Sequence, residues 1–195
     1  ILTGGVCIGI RCSDGVVLAA DTMVCYGSLQ LYREARRLHK ITDDIIMVAE
    51  GEYSDFQELQ TMFQELIDEH HYLPPVGTYR MRPKQAFEFL TQVMYNRRNK
   101  MDPLWNTVLM GGYGKPCGED YPAQNDHLYK EEPFLGMVDM HGTQLVDHIL
   151  TTGIGQYMAL PLLREATREV ERLKQHKLPD TLNTTQGIQL LCDVM

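Results

Sequence analysis

The stretch that decides the fold is the first one, residues 1–21, ILTGGVCIGIRCSDGVVLAAD. Val6–Arg11 and Val16–Ala20 are β-rich apolar runs, and Ser13-Asp14-Gly15 between them is composed of turn-forming residues. The pattern predicts an antiparallel hairpin whose second strand ends at Asp21.

Working outward, Ile45–Ala49 is a short continuous apolar run of the kind that forms a strand buried on both faces. Ser54 and Gln57 then have the spacing of a helix capping box. Phe56, Leu59, Met62, Phe63, Leu66 and Ile67 keep the three-to-four spacing of one apolar helix face. Pro74-Pro75 and Gly77 interrupt that pattern. A second helix is expected from Pro83 to Asn99, with proline in its first turn and Ala86, Leu90, Val93 and Met94 inward. Strands are expected at Thr107–Gly111, Leu135–Asp139 and Gln144–Leu150, followed by helices from Tyr157 to about Lys174 and from about Thr184. In the last helix Ile188, Leu191, Cys192 and Met195 form an apolar stripe. Strands that follow one another closely pair antiparallel, and the helices come in pairs. That order disfavours a doubly wound parallel sheet and favours two packed sheets with helices outside. The expected unit is one domain over residues 1–195, with the strands that would follow the last helix missing after Met195, and a long surface loop at 114–133 that touches a neighbour or projects as a flap.

Composition narrows the function. The chain has 195 residues, 44% of them hydrophobic, and a net charge of −8, which disfavours a nucleic-acid partner because phosphate binding needs clustered Lys and Arg. No apolar run approaches the roughly 20 residues that span a bilayer, so no membrane partner is expected. The five cysteines, at 7, 12, 25, 117 and 192, have no framework spacing and read as free thiols in a reducing compartment, the cytoplasm and nucleus. The absence of an initiator Met suggests a processed form or a fragment.

Most individual motifs have structural explanations. Lys115 follows Gly111-Gly112-Tyr113-Gly114, but Pro116 stands where a phosphate loop needs Ser or Thr. His70 and His71 are adjacent, about 100° apart on a helix, and cannot share a metal as an i, i+4 pair does. Both suit a helix C-terminus, as does Arg97-Arg98-Asn99-Lys100. No CxxC pair is present; Cys7 and Cys192 read as small core residues. No GxSxG elbow occurs. No metal or cofactor is called for.

The hairpin closing in AAD (19–21), YGS (26–28) and GEYSD (51–55) together resemble the proteasome β-type subunits, members of the N-terminal nucleophile hydrolases. YGSLQLYREARRL (26–38), YNRRNKMDPLWNTVLMGGYG (95–114) and TGIGQYMALPLLRE (152–165) resemble, within that family, the β subunit at the seventh position of the eukaryotic ring. The resemblance implies an α+β fold, a four-layer αββα sandwich of two antiparallel sheets. Active members use a Thr hydroxyl at their first residue, with its own free amine as base. In register with Asp21, that nucleophile's position falls on Gly5, which has no side chain and whose nitrogen is an amide. The family's lysine falls on Arg37, which holds its proton past pH 12 and cannot exchange it. The supporting serine falls on Ile154, and the oxyanion-hole glycine on Gly51, a glycine that a tight strand-to-helix turn would equally require. Asp21 keeps its type but has no nucleophile to tune. The resemblance thus implies a non-catalytic subunit of the 20S core particle that contributes to β-ring assembly and ring pairing in ubiquitin-dependent protein degradation. Its partners would be the other α and β subunits of a 28-subunit hetero-oligomer. The rival reading is an active hydrolase using Thr3 or Cys7.

Overall fold

A computed structural model describes residues 3–72, 80–116, 130–174 and 182–194. The strands are β1 (Thr3–Gly4), β2 (Cys7–Arg11), β3 (Val16–Ala20), β4 (Val24–Tyr26), β5 (Leu29–Tyr32), β6 (Leu38–Thr42), β7 (Ile45–Glu52), β8 (Asn106–Gly114), β9 (Glu132–Val138), β10 (Gln144–Val146) and β11 (Ile149–Thr151). The helices are α1 (Tyr53–Tyr72), α2 (Pro83–Asn99), α3 (Gly155–Lys174) and α4 (Thr184–Val194).

The larger sheet runs β10-β9-β8-β7-β1-β4-β5, with β6 also pairing β7, and the smaller runs β11-β2-β3. Every pairing is antiparallel. The period-2 alternation of side chains on β7 and β8 explains the layering. Met47, Ala49, Val108 and Met110 face α1 and α2, where Phe56, Leu59, Phe63, Ala86, Phe87, Leu90 and Met94 complete one core. Val48 and Leu109 point the other way and meet Cys7, Leu135, Met137 and Leu150 between the sheets. On the far side of the smaller sheet, Ile8, Ile10 and Ile149 pack with Ala159, Leu163 and Leu191 of α3 and α4. Three cores separate four layers, the αββα sandwich expected. Two glycines make the sheets' approach possible: a Cβ on Gly9 would fall 2.9 Å from Leu135 and Leu18, and one on Gly111 would fall 2.8 Å from Val16.

Strand β3 and helix α2 have the bounds the residues suggested, β2 starts at Cys7, one residue later than expected, and Cys7 is fully buried. Several details differ. The segment 144–150 is not one strand: β10 pairs β9 in the larger sheet and β11 pairs β2 in the smaller, so the chain changes sheets at Asp147-His148. Alternating apolar residues cannot reveal such a crossing, because both halves keep the same period. The cap of α1 is not Ser54. Glu52 accepts hydrogen bonds from the Ser54 N–H (2.7 Å), the Ser54 hydroxyl and the Asp55 N–H (3.1 Å), using a longer acid two residues upstream. On α4, Leu191 is buried, but Ile188 is 52% exposed and Cys192 is also exposed, so the stripe covers a narrower face than its spacing suggested. β1, β4, β5 and β6 were not anticipated; they are short, and β5 is exposed throughout. Pro74, Pro75, Gly77, Met195 and residues 117–129 of the expected 114–133 loop lie outside the described residues, as do the side chains of His70 and His71.

The β2–β3 turn does more than reverse the chain. Asp14 accepts from the Thr184 N–H at 2.7 Å and from the Thr184 hydroxyl at 3.0 Å, capping α4 from 170 residues away. Asp14→Ala is expected to lower stability by about 1 kcal/mol, read as a lower thermal midpoint; an unchanged midpoint would show the cap to be redundant with Asn183, which accepts from the Gln186 N–H.

Candidate functional site

Four of the site positions singled out from the sequence, Gly5, Asp21, Arg37 and Gly51, converge where β1, β4 and β7 of the larger sheet meet the start of the smaller one. Thr3 pairs Cys25 of β4 on one side and Glu52 of β7 on the other, and Gly4 pairs Gly51. The chain then leaves the larger sheet at Gly5 and enters β2. The turn is held from below: the Val6 N–H donates to Asp21 Oδ1 (3.1 Å) and the Asp21 N–H donates to the Val6 carbonyl (3.2 Å).

Gly5 and Asp21 are brought together. A Cβ on Gly5 would lie 3.2 Å from Asp21 Oδ2, so a side chain at this position would stand directly over the carboxylate. Asp21 is not idle, however. Its Oδ1 is ion-paired with the guanidinium of Arg37, whose side chain is 2% exposed. Arg37 Nε also donates to the Asp21 carbonyl (3.0 Å), Nη1 to the Ala49 carbonyl (3.3 Å) and Nη2 to the Val6 carbonyl (3.5 Å). Burial lowers the Arg37 pKa, while the neighbouring Cys7 and Glu50 act to raise it. An arginine nevertheless stays charged, which is why so many acceptors surround it.

Gly51 lies within β7, not in a turn after it. Its φ is +108°, and a Cβ there would collide with the carbonyl of Trp105, the residue just before β8. The Glu52 N–H donates to that same carbonyl (2.9 Å), and Asn106 Nδ2 donates to the carbonyls of Glu50 (3.1 Å) and Glu52 (2.9 Å). The peptide at Gly51 is therefore set by its neighbours on both sides. Ile154 does not point into the cluster: it is 61% exposed at the start of α3. The residue before it is the one in contact, since a Cβ on Gly153 would fall 2.5 Å from the Gly5 carbonyl and from Glu50 Oε1.

Thr3 and Cys7 occupy opposite situations. Thr3 is exposed, but its backbone is paired on both sides. Cys7 has no exposed surface, and burial pushes its thiol up to about 11, only partly offset by Arg37, so it is a thiol and not a thiolate at neutral pH. Its N–H donates to Thr152 Oγ1 at 3.0 Å, and the Thr152 N–H donates back to its carbonyl at 2.9 Å.

Four participants were not picked out from the sequence: Gly4, Glu50, Thr152 and Gly153. Only Glu50 left a signal, an acid closing the apolar run of β7. Burial raises its pKa, against a hydrogen bond from Thr152 and the charge of Arg37. The folded state thus binds the Glu50 proton more tightly than the unfolded state, and stability from this group falls as pH rises from the ordinary carboxylate range through the raised value. Glu50→Gln is therefore expected to change nothing at acid pH and to stabilise increasingly toward neutral pH. Solvent screening keeps the gain within about 1 kcal/mol. Thermal midpoints of both forms across pH 4 to 8 check this, and a pH-independent difference would contradict it. Among the described residues no group of three or more His, Cys, Asp or Glu could hold a metal, and no helix is long and apolar enough to cross a membrane.

Comparison with known proteins agrees with this frame. Residues 1–117 match the family model described as proteasome subunit. The chain is 36% identical to proteasome subunit beta type-4 of Xenopus laevis, over 91% of the chain and 66% of that protein. It is 35% identical to the probable proteasome subunit beta type-7 of Schizosaccharomyces pombe, over 86% of the chain and 58% of that protein. To proteasome subunit beta type-4 of Dictyostelium discoideum it is 36% identical, over 100% of the chain and 65% of that protein. The chain thus spans about 58–66% of the length of these relatives. With the two antiparallel sheets of an N-terminal nucleophile hydrolase sandwich and a family match over more than half its length, the chain belongs to the proteasome subunit family, among its β-type members.

Proposed function

We propose that this chain is a non-catalytic β subunit of the 20S proteasome core particle, at the seventh position of the β ring, working in ubiquitin-dependent protein degradation in the cytoplasm and nucleus. The observation that carries the reading is Gly5: it stands over Asp21 with no side chain, and its nitrogen is tied in a peptide bond to Gly4. Neither attack nor base catalysis is open to it. Two further changes support the same conclusion. Arg37 holds its proton where a lysine could exchange one, and Ile154 stands outside the cluster where a serine would support it. The rival nucleophiles lack support, Cys7 because it is buried and protonated, Thr3 because its backbone is engaged in the sheet.

The work left to such a subunit is to hold others. Its partners are the remaining α and β subunits of a 28-subunit hetero-oligomer, whose contacts it helps make in closing and pairing the β rings. Exposed apolar surface supports this: Ile154 just before α3, Tyr157, Met158 and Leu162 along α3, and Leu29, Leu31 and Tyr32 on the edge strand β5. The seventh position rests on the runs 95–114 and 152–165, because the relatives bear both type-4 and type-7 names.

The experiment treats the purified particle with an electrophile that traps N-terminal threonines and maps the labelled peptides. The expected result is label on other subunits and none on this chain. Label on Thr3 or Cys7 would overturn the reading.

A further inference from the structure

Active or not, the cluster at residues 3–6 contains a feature that a merely emptied site would not need. A buried guanidinium is costly unless nearly all its donors are used, and Arg37 uses Nε, Nη1 and Nη2 on three backbone carbonyls and one carboxylate. Those acceptors belong to three separate parts of the chain: Val6 beyond β1, Asp21 after β3, and Ala49 in β7. The guanidinium also lies against Gly4, where a Cβ would fall within 2.6 Å of Cζ and closer still to Nη1. Gly4 has an ordinary backbone conformation, absent from the positive-φ positions. Its lack of a side chain answers to Arg37, not to a turn.

We propose that Arg37 is a lock: seated on Gly4 and ion-paired to Asp21, it pins β1 between β4 and β7 and holds the Gly5–Val6 turn that follows. Asp21 is the other half of the device. Its Oδ1 takes both the Arg37 guanidinium and the Val6 N–H, so one carboxylate fixes the cation and the backbone it holds. Gly4, Asp21 and Arg37 are thus coupled. An arginine fits because residue 4 has no side chain, and residues 3–6 stay in place because the arginine fits. The inference concerns the backbone of this segment and stands whether or not the chain is catalytic.

The test is amide hydrogen exchange in the assembled particle, followed by mass spectrometry on peptides covering residues 3–6 and, as an internal control, residues 106–114 of β8. Arg37→Lys keeps the charge but loses the flat multidentate head. It is expected to speed exchange over 3–6 by about ten-fold or more, with the β8 peptide unchanged. Gly4→Ala is expected to do the same by clashing with the guanidinium. Combining it with Arg37→Lys, whose slimmer head leaves room for the methyl, is expected to restore part of the protection lost in Gly4→Ala alone. Rescue of that kind is not produced by a general loss of stability. Unchanged exchange over 3–6 in Arg37→Lys, an equal rise in both peptides, or additive losses in the double variant would each overturn the lock. Should Gly4→Ala fail to assemble, assembly of the double variant supports the coupling, and its failure too overturns it. Threonine-trap labelling of the same samples reports separately on the non-catalytic reading.

Discussion

Alanine at Gly51 is expected to destabilise the protein by more than about 3 kcal/mol, a large share of the roughly 5–15 kcal/mol that holds a domain folded. Two costs add. The φ of +108° is a conformation that side-chain-bearing residues rarely adopt, with strain on the order of 1–3 kcal/mol. The new methyl would also meet the Trp105 carbonyl, and that carbonyl cannot retreat: it accepts the Glu52 N–H, and the next residue, Asn106, bridges the carbonyls of Glu50 and Glu52. Relief would require β7 and β8 to part at the end of a seven-pair register. Urea or thermal unfolding of the variant measures the loss, and a midpoint close to that of the parent would show that the strand bends more easily than its hydrogen bonds imply.

Arg37→Met is expected to cost about 3 kcal/mol, the lower end of the penalty for breaking a buried ion pair. The lower end applies because the Asp21 side chain is 30% exposed, so water can replace part of what the guanidinium supplied. The carbonyls of Val6, Asp21 and Ala49 each lose a donor at the same time. Asp21→Asn in the Arg37→Met background is expected to recover part of the loss, since it removes the stranded charge, whereas alone it destabilises. Chemical unfolding of the four forms gives the coupling energy. A coupling near zero would mean that Arg37 acts by filling space alone.

Much of the frame was legible because it depends on local period. The β2–β3 hairpin and α2 are periodic, bounded by turn or proline signals, and internally consistent. Elements without a period of their own were not legible: β1 has two residues, β4 three with a single buried one, and β5 exposes all of its residues, so no buried face marks them. The split of 144–150 between sheets was hidden for a different reason. Strand identity is local, but the choice of partner is not, and β9 and β2 compete for neighbouring residues only once both sheets exist.

The site divides along the same line. That position 5 is a glycine in peptide linkage and position 37 an arginine is a matter of residue identity, and chemistry alone limits what either can do. That Gly5 stands over Asp21, that Arg37 rests on Gly4, and that Gly153 and not Ile154 touches the cluster depends on contacts between residues 16 to 148 positions apart. Such contacts arise from how the two sheets pack and cross. No pattern read along the chain contains them, because the energy that sets them belongs to pairs and not to residues.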